Sequence, residues 1–424
     1  MIQKIMQSIL FKNTFIYVLT EIINKAVPFL LLPILTVYLS PSDYGIVATY
    51  GAFTAILGVF IHLSLVGAVN VNFFKFSKED LKIYIANVLL IIFVSALIIF
   101  SLIYLFQDQL SLKLEIPNIW LFVGLFITLA QFLTTLNLGL WQAEQQSRSF
   151  GIYQITLMLT NTSIVLILVI GFGMGWKGQL IGQAIATVLF ALLSFRFIYR
   201  RGYLQFTYNK GYIKDALKFG VPLIPHALSG WFRTGVDRIF LTTFIGSSAT
   251  GLYSVGYQFG FIIGIIAAAF NQAYSPYLYR KLNNITLNDK LKLVKFTYAY
   301  FVGILLFAGI ISLIMPWVII HFLNERYLDS KEIVPWVAFG YAFQGMYFMV
   351  VNYIFYVKRT YGLAAITFFG GLIHVALCYL LIKEIGSIGA AQATTISFFI
   401  TFILVWLLSS KLYPMPWGLG IIKN

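Results

Sequence analysis

Apolar residues in this chain run in long blocks separated by short polar breaks. Six blocks fall at roughly 13–39, 44–72, 82–106, 117–141, 150–172 and 177–198. Six more follow at roughly 215–245, 250–275, 293–321, 333–357, 361–382 and 387–410. A helix rises about 1.5 Å per residue, so each block can cross a hydrocarbon layer of ~30 Å. The pattern predicts an all-α integral membrane protein of about 12 transmembrane helices. Ahead of the first block, Ile2, Ile5, Met6, Ile9 and Leu10 share one helical face, with Lys4 and Lys12 elsewhere. That reads as a short interfacial helix over 1–12.

The two sets of blocks repeat one another. Shifted by 206 positions, ILTVYLSPSDYGIVATYGAF (from Ile34) lies on FLTTFIGSSATGLYSVGYQF (from Phe240) without a gap. Near the end of each set, IGQAIAT (from Ile181) lies on IGAAQAT (from Ile388) at a shift of 207. Two matches at nearly one offset imply a duplicated six-helix unit: an N-terminal lobe 1–198, a linker 199–214 and a C-terminal lobe 215–424. Six is even, so both copies enter the membrane from the same side. A pseudo-twofold along the membrane normal is then expected, with a substrate path between the lobes.

Composition and charge narrow the class. Hydrophobic residues make up 60% of the chain and charged residues 10%, against about a quarter charged in soluble domains. The net charge of +15 would suggest nucleic acid in a soluble protein. Here its distribution gives another reason. With the N-terminus inside, 21 of the 29 Lys and Arg fall in inside segments. Lys113, Lys177, Arg326, Lys331 and Lys383 fall outside, and Lys25, Arg233 and Arg238 lie within spans. This bias predicts both termini in the cytoplasm and no nucleic-acid partner. The first apolar block contains Glu21 and Lys25 and runs too far for a cleavable signal peptide. Cys378 is the single cysteine, which excludes an internal disulfide and a thiolate metal cluster. No Walker loop, metal-ligand spacing or catalytic triad is present, so neither an enzyme nor a nucleotide-driven pump is indicated.

The chemistry concentrates on charges inside the spans, where each is costly and marks a candidate site. His226, Gly230, Arg233 and Asp237 are spaced i, i+4, i+7 and i+11, so one continuous helix would put them on one face, a cavity wall. Glu21 and Lys25 are i, i+4 on the first span, beside Asn24. Through the repeat, Lys25 corresponds to Trp231, two residues from Arg233, so Lys25 and Arg233 are expected at nearly one depth. Two such cations suit an anionic ligand. Alternatively, Glu21–Lys25 and Arg233–Asp237 are self-neutralising pairs that hold helices together. Arg238 reads as a snorkelling side chain or a further anion contact. His62 and His374 read as packed, hydrogen-bonded core histidines. Glu21 and Asp237 are the in-span acids that can bind H⁺ or Na⁺ during a cycle; no other cofactor and no metal site is expected.

Several segments resemble a known family: LSPSDYG, LWQAEQQSRSFGIYQI, LKFGVPLIPHALSGWF, VDRIFLTTFIGSSATGLYSV and IGSIGAAQATTISFF. They look like polysaccharide transporters of the O-antigen flippase (Wzx-like) type, in the multidrug/oligosaccharidyl-lipid/polysaccharide exporter superfamily. The most specific part is the Pro-Leu-Ile-Pro run followed by Asp237-Arg238 and the turn at Gly251. The resemblance implies an undecaprenyl-pyrophosphate-linked oligosaccharide as substrate, moved across the bacterial cytoplasmic (inner) membrane by alternating access. It also implies a polysaccharide polymerase and a chain-length regulator as partners, besides membrane lipids. Substrate-binding candidates are Lys25, Arg233, Arg238, Asn24 and His226; ion-coupling candidates are Glu21 and Asp237. His374 and Cys378 depart from the family, where relatives often carry asparagines. Three other readings stand beside this one: a multidrug or cation antiporter of the same superfamily, a peptidoglycan-precursor flippase, which typically has two extra helices absent here, and a non-transporting membrane scaffold for glycan assembly.

Overall fold

The computed structural model describes residues 2–283 and 285–418, with the side chains of 2–15 and 18 outside the described residues. It is helical throughout, with no strand among the described residues. The first half comprises α1 (Ile2–Tyr38), α2 (Pro41–His62), α3 (Leu65–Phe73), α4 (Lys78–Leu114), α5 (Asn118–Ala143), α6 (Ser147–Leu166) and α7 (Gly175–Arg200). Next come three short helices, α8 (Lys210–Gly220), α9 (Ile224–Thr234) and α10 (Val236–Phe244). The rest comprises α11 (Ser247–Gly260), α12 (Ile262–Leu282), α13 (Leu287–Phe322), α14 (Ile333–Tyr356) and α15 (Tyr361–Leu412).

Ten helical segments among the described residues are long and apolar enough to span a membrane. The expected twelve follow once two breaks are counted. Ile385 and Gly386 leave helical geometry inside α15, which separates its eleventh and twelfth spans. The seventh block is α8–α9–α10, interrupted by a 3-10 turn at Val221–Leu223 and again at Gly235. Pro222 and Pro225 account for the first interruption, since each lacks an N–H and crowds the preceding turn. The stretch 1–12 is helical from Ile2 and continuous with the first span, rather than separated from it as a short element; its side chains lie outside the described residues.

The repeat is visible in the helix ends. α1 stops at Tyr38 and α10 at Phe244; α2 starts at Pro41 and α11 at Ser247. Both pairs differ by the 206 positions of the sequence match. The local chemistry differs. Ser40 and Asp43 form a reciprocal capping box that starts α2, whereas Gly246, at φ 122°, precedes α11. The second match places Gly182 and Gly389 at close helix crossings. A Cβ on Gly182 would lie 2.8 Å from Val165 Cγ2, and one on Gly389 would lie 2.3 Å from the Leu381 carbonyl oxygen.

Contacts divide the chain into two compact units, Met1–Trp231 and Phe232–Asn424. The sequence repeat counts spans and puts the second copy from 215; packing counts neighbours and keeps α8 with the first unit. Asp215 accepts from Asn72 Nδ2 and Tyr84 Oη, both at 3.1 Å. Gly220 lets α8 close on the α2–α3 junction, where a Cβ would sit 2.3 Å from the Leu63 carbonyl oxygen. The loop before α8 is fastened as well. Asn87 donates to Thr207 O at 2.8 Å and accepts from Asn209 N at 2.9 Å. Glu144 accepts from Arg201 Nη1 at 2.9 Å and Tyr203 Oη at 2.5 Å. Burial, then the Glu144 carboxylate it bonds, push the Tyr203 phenol above its ordinary pKa.

Large apolar side chains face outward along the long helices, Leu105, Leu112, Leu306 and Leu313 among them. In water such a surface would be an aggregation hazard; in a bilayer it is the lipid face. With a mostly apolar core that carries scattered buried polar groups, and an apolar exterior, the fold is that of a roughly twelve-span membrane protein.

Candidate functional site

In the second unit the charged residues sort into two groups on either side of Gly235. This glycine has φ −130° and ψ −33°, which ends α9 and restarts the chain as α10. The break corrects the expectation that His226, Gly230, Arg233 and Asp237 line one continuous helical face. Arg233 is in the last turn of α9; Asp237 is in the first turn of α10, rotated away from it.

Asp237 therefore pairs with Arg238, not with Arg233. Its side chain is fully buried, and its Oδ1 accepts from Arg238 Nη1 at 3.2 Å and from the Arg238 backbone N–H at 2.8 Å. Its Oδ2 accepts a short hydrogen bond from the Tyr253 hydroxyl. The first turn of a helix also favours a carboxylate through its exposed N–H groups. Arg238 donates further to Thr234 O at 2.6 Å, and its guanidinium lies 4.7 Å from the Tyr257 ring centroid. The Tyr257 and Tyr341 hydroxyls bond one another. The Arg238 side chain is only 14% exposed, so this is a buried, satisfied pair and not a snorkelling cation.

Arg233 is different. Nη2 donates to Thr367 O at 3.0 Å and to Thr401 Oγ1 at 3.4 Å, and the guanidinium lies 5.8 Å from the Phe398 ring centroid. No carboxylate pairs with it among the described residues, and Nε is buried without a partner. Gly370 makes the space: a Cβ there would lie 2.8 Å from Arg233 Nη2 and 2.5 Å from Thr401 Oγ1. Thr401 extends this polar strip along α15, since it donates to Ser397 O at 2.8 Å and Ser397 Oγ lies 3.0 Å from His374 Nδ1. His374 Nε2 lies 3.3 Å from Cys378 Sγ. These two family departures are thus fully buried and hydrogen-bonded, as expected for core residues.

The first-unit candidates separate. Lys25 and Glu21 pair at 2.8 Å with side chains 40% and 56% exposed. Asn24, one residue along, turns inward and donates to Gln154 Oε1 at 3.0 Å, in the wall of a cavity of about 410 Å³. His62 reaches the same cavity, its Nε2 2.8 Å from Thr128 O. His226 is exposed on α9 and falls in the first unit. Sequence reading missed Gly370, Thr367 and Thr401, which cradle Arg233, and Tyr253, which completes the Asp237 pair. Gly370, Thr367 and Thr401 lie over 100 residues from Arg233, and Tyr253 is on a different helix from Asp237, so no short-range pattern links them.

A roughly twelve-span helical fold with a proline-broken seventh span and buried arginines defines a polytopic membrane protein. Residues 10–281 match the family described as polysaccharide biosynthesis protein. The chain belongs to that family. A Haemophilus influenzae protein of the lsg locus is 25% identical over 406 residues, 92% of this chain and 98% of that one. A membrane protein of the same organism is 26% identical over 361 residues, 83% of this chain and 85% of its own. Among solved structures, the lipid II flippase MurJ in an inward closed conformation has TM-score 0.71 at 17% identity, with 92% of this chain and 87% of that chain covered. An inward-facing multidrug transporter of the MATE family has TM-score 0.64 at 14% identity, covering 90% and 94%. At these identities the two structures speak to the fold.

Proposed function

We propose that the protein is a flippase for undecaprenyl-pyrophosphate-linked oligosaccharides. It would move them from the cytoplasmic to the outer leaflet of the bacterial inner membrane, for O-antigen or other surface polysaccharide. In this reading the lobes 1–198 and 215–424 are related by a pseudo-twofold and alternate access, with both termini cytoplasmic. A polymerase and a chain-length regulator then act on the product. One observation carries the reading: Arg233 is held at span depth without a carboxylate, with part of its donor fork unspent. A cation in that position costs at least about 2.5–3.5 kcal/mol on insertion scales. A pyrophosphate offers what an Arg fork recognises, paired oxygens that accept two parallel bonds. Lys25, half-exposed and paired with Glu21 at 2.8 Å, stays the second candidate cation only if that pair opens. Membership of a polysaccharide biosynthesis family supports the glycan part, and the flippase fold of MurJ supports the lipid-linked part. A cation antiporter needs an available carboxylate, and Asp237 is already spent on Arg238 and Tyr253. Glu21 keeps its place as the ion-coupling candidate.

The test is reconstitution. Liposomes carrying the native lipid-linked oligosaccharide are treated with membrane-impermeant periodate, with and without the protein. Oxidation of the inner-leaflet share only when the protein is present is expected. Equal oxidation in both preparations would overturn the proposal.

A further inference from the structure

The first unit holds a cavity that the charged residues do not explain. It lies among α1, α2, α5, α6 and α7, and none of its lining residues is an acid, a lysine or an arginine. Its volume of about 410 Å³ is in the range of small-ligand sites, about 300–1,000 Å³. Five primary amides face it from four helices: Asn24 on α1, Gln131 on α5, Gln154 and Asn161 on α6, and Gln183 on α7. The hydroxyls of Thr134, Thr135 and Thr187 lie between them, and Leu138, Leu157 and Met158 supply apolar patches. Asn24 Oδ1 and Asn161 Oδ1 in these walls are buried with no hydrogen-bond partner among the described residues. Such atoms normally find partners, and each one stranded costs about 1–3 kcal/mol. His62 adds an acceptor: its Nε2–H is committed to the Thr128 carbonyl, which leaves Nδ1 with a lone pair.

We infer that this cavity is a binding subsite for uncharged sugar rings of the lipid-linked glycan; the inference rests on the flippase reading above. Amides and hydroxyls both donate and accept, as sugar hydroxyls do, and the apolar patches match the C–H faces of a ring. A pyrophosphate finds no cation here, and a drug cation finds no carboxylate. The site therefore reads the glycan and not its carrier. A site built from hydrogen-bonding groups also discriminates strongly, since a ring with a missing hydroxyl leaves protein groups unpaired.

Two probes separate the outcomes: lipid-linked oligosaccharide extracted from source cells that lack this chain, and undecaprenyl pyrophosphate without sugar. Binding is measured to detergent-purified full-length protein and to Asn161→Leu and Gln183→Met. The variants should bind the glycosylated lipid at least tenfold more weakly and the sugar-free lipid as the unchanged protein does. Equal loss for both lipids, or no loss for either, overturns the subsite. Failure of the unchanged protein to bind either lipid would instead count against the flippase reading. If either variant does not fold, Thr187→Cys in a Cys378→Ser background replaces it. The thiol should then be protected from maleimide by the glycosylated lipid alone, and protection by the sugar-free lipid as well contradicts the assignment.

Discussion

The last turn of α9 and the first turn of α10 carry one arginine each, and the two are treated in opposite ways. Arg238 is closed in by Asp237, Tyr253, Tyr257 and the Thr234 carbonyl. Arg233, five positions earlier, has a carbonyl, a hydroxyl and an aromatic face, with no carboxylate partner among the described residues. Buried pairs of the first kind hold helices together and gain little from being available. A cation of the second kind is costly to the fold unless it meets an anion at some stage of the cycle. The contrast teaches that span-depth charge alone does not mark a ligand site; the state of its counter-ion does.

The largest expected effect comes from breaking the closed pair. Asp237→Asn strands the buried Arg238 guanidinium and should destabilise the protein by about 3–5 kcal/mol, seen as a large drop in melting temperature in detergent. Asp237→Asn with Arg238→Met should recover much of that loss. A melting temperature unchanged in the single variant would mean the pair is not structural. Gly370→Ala sharpens the other side of the comparison. Its Cβ would press on Thr401 and the Arg233 fork, at about 1–3 kcal/mol for overpacking, and should reduce transport without removing a charge. Transport at the unaltered rate would show that the cradle's shape is unimportant. The smallest effect belongs to Glu21→Gln. This pair with Lys25 is roughly half-exposed, so stability should change by no more than about 1 kcal/mol. Any loss of gradient-driven flipping in that variant then reports ion coupling and not unfolding.

Much of the architecture was legible in the sequence because long apolar blocks and a six-helix repeat are one-dimensional signals. Tyr38 and Phe244, or Pro41 and Ser247, even mark the same helix ends in the two copies. The candidate site was legible only in its list of charges. Helical periodicity assumed an unbroken span through 226–237, and Gly235 breaks it, which moves Asp237 from Arg233 to Arg238. Polar residues that looked alike in sequence also part company in three dimensions. Asn72 fastens α8 through Asp215, Asn352 bonds Asn271 at 2.8 Å, and Gln131 and Asn161 line the amide cavity. These fates depend on neighbours from other helices, which no local pattern encodes.

The most direct test is the rate of lipid-linked oligosaccharide flipping in liposomes with Arg233→Ala and Arg233→Lys, after confirming insertion and an unchanged melting profile. An anion-binding Arg233 predicts at least a tenfold loss in the alanine variant. The lysine variant should be intermediate, because it keeps the charge but loses the second parallel hydrogen bond. Flipping by stable Arg233→Ala at the rate of the unaltered protein would contradict the assignment.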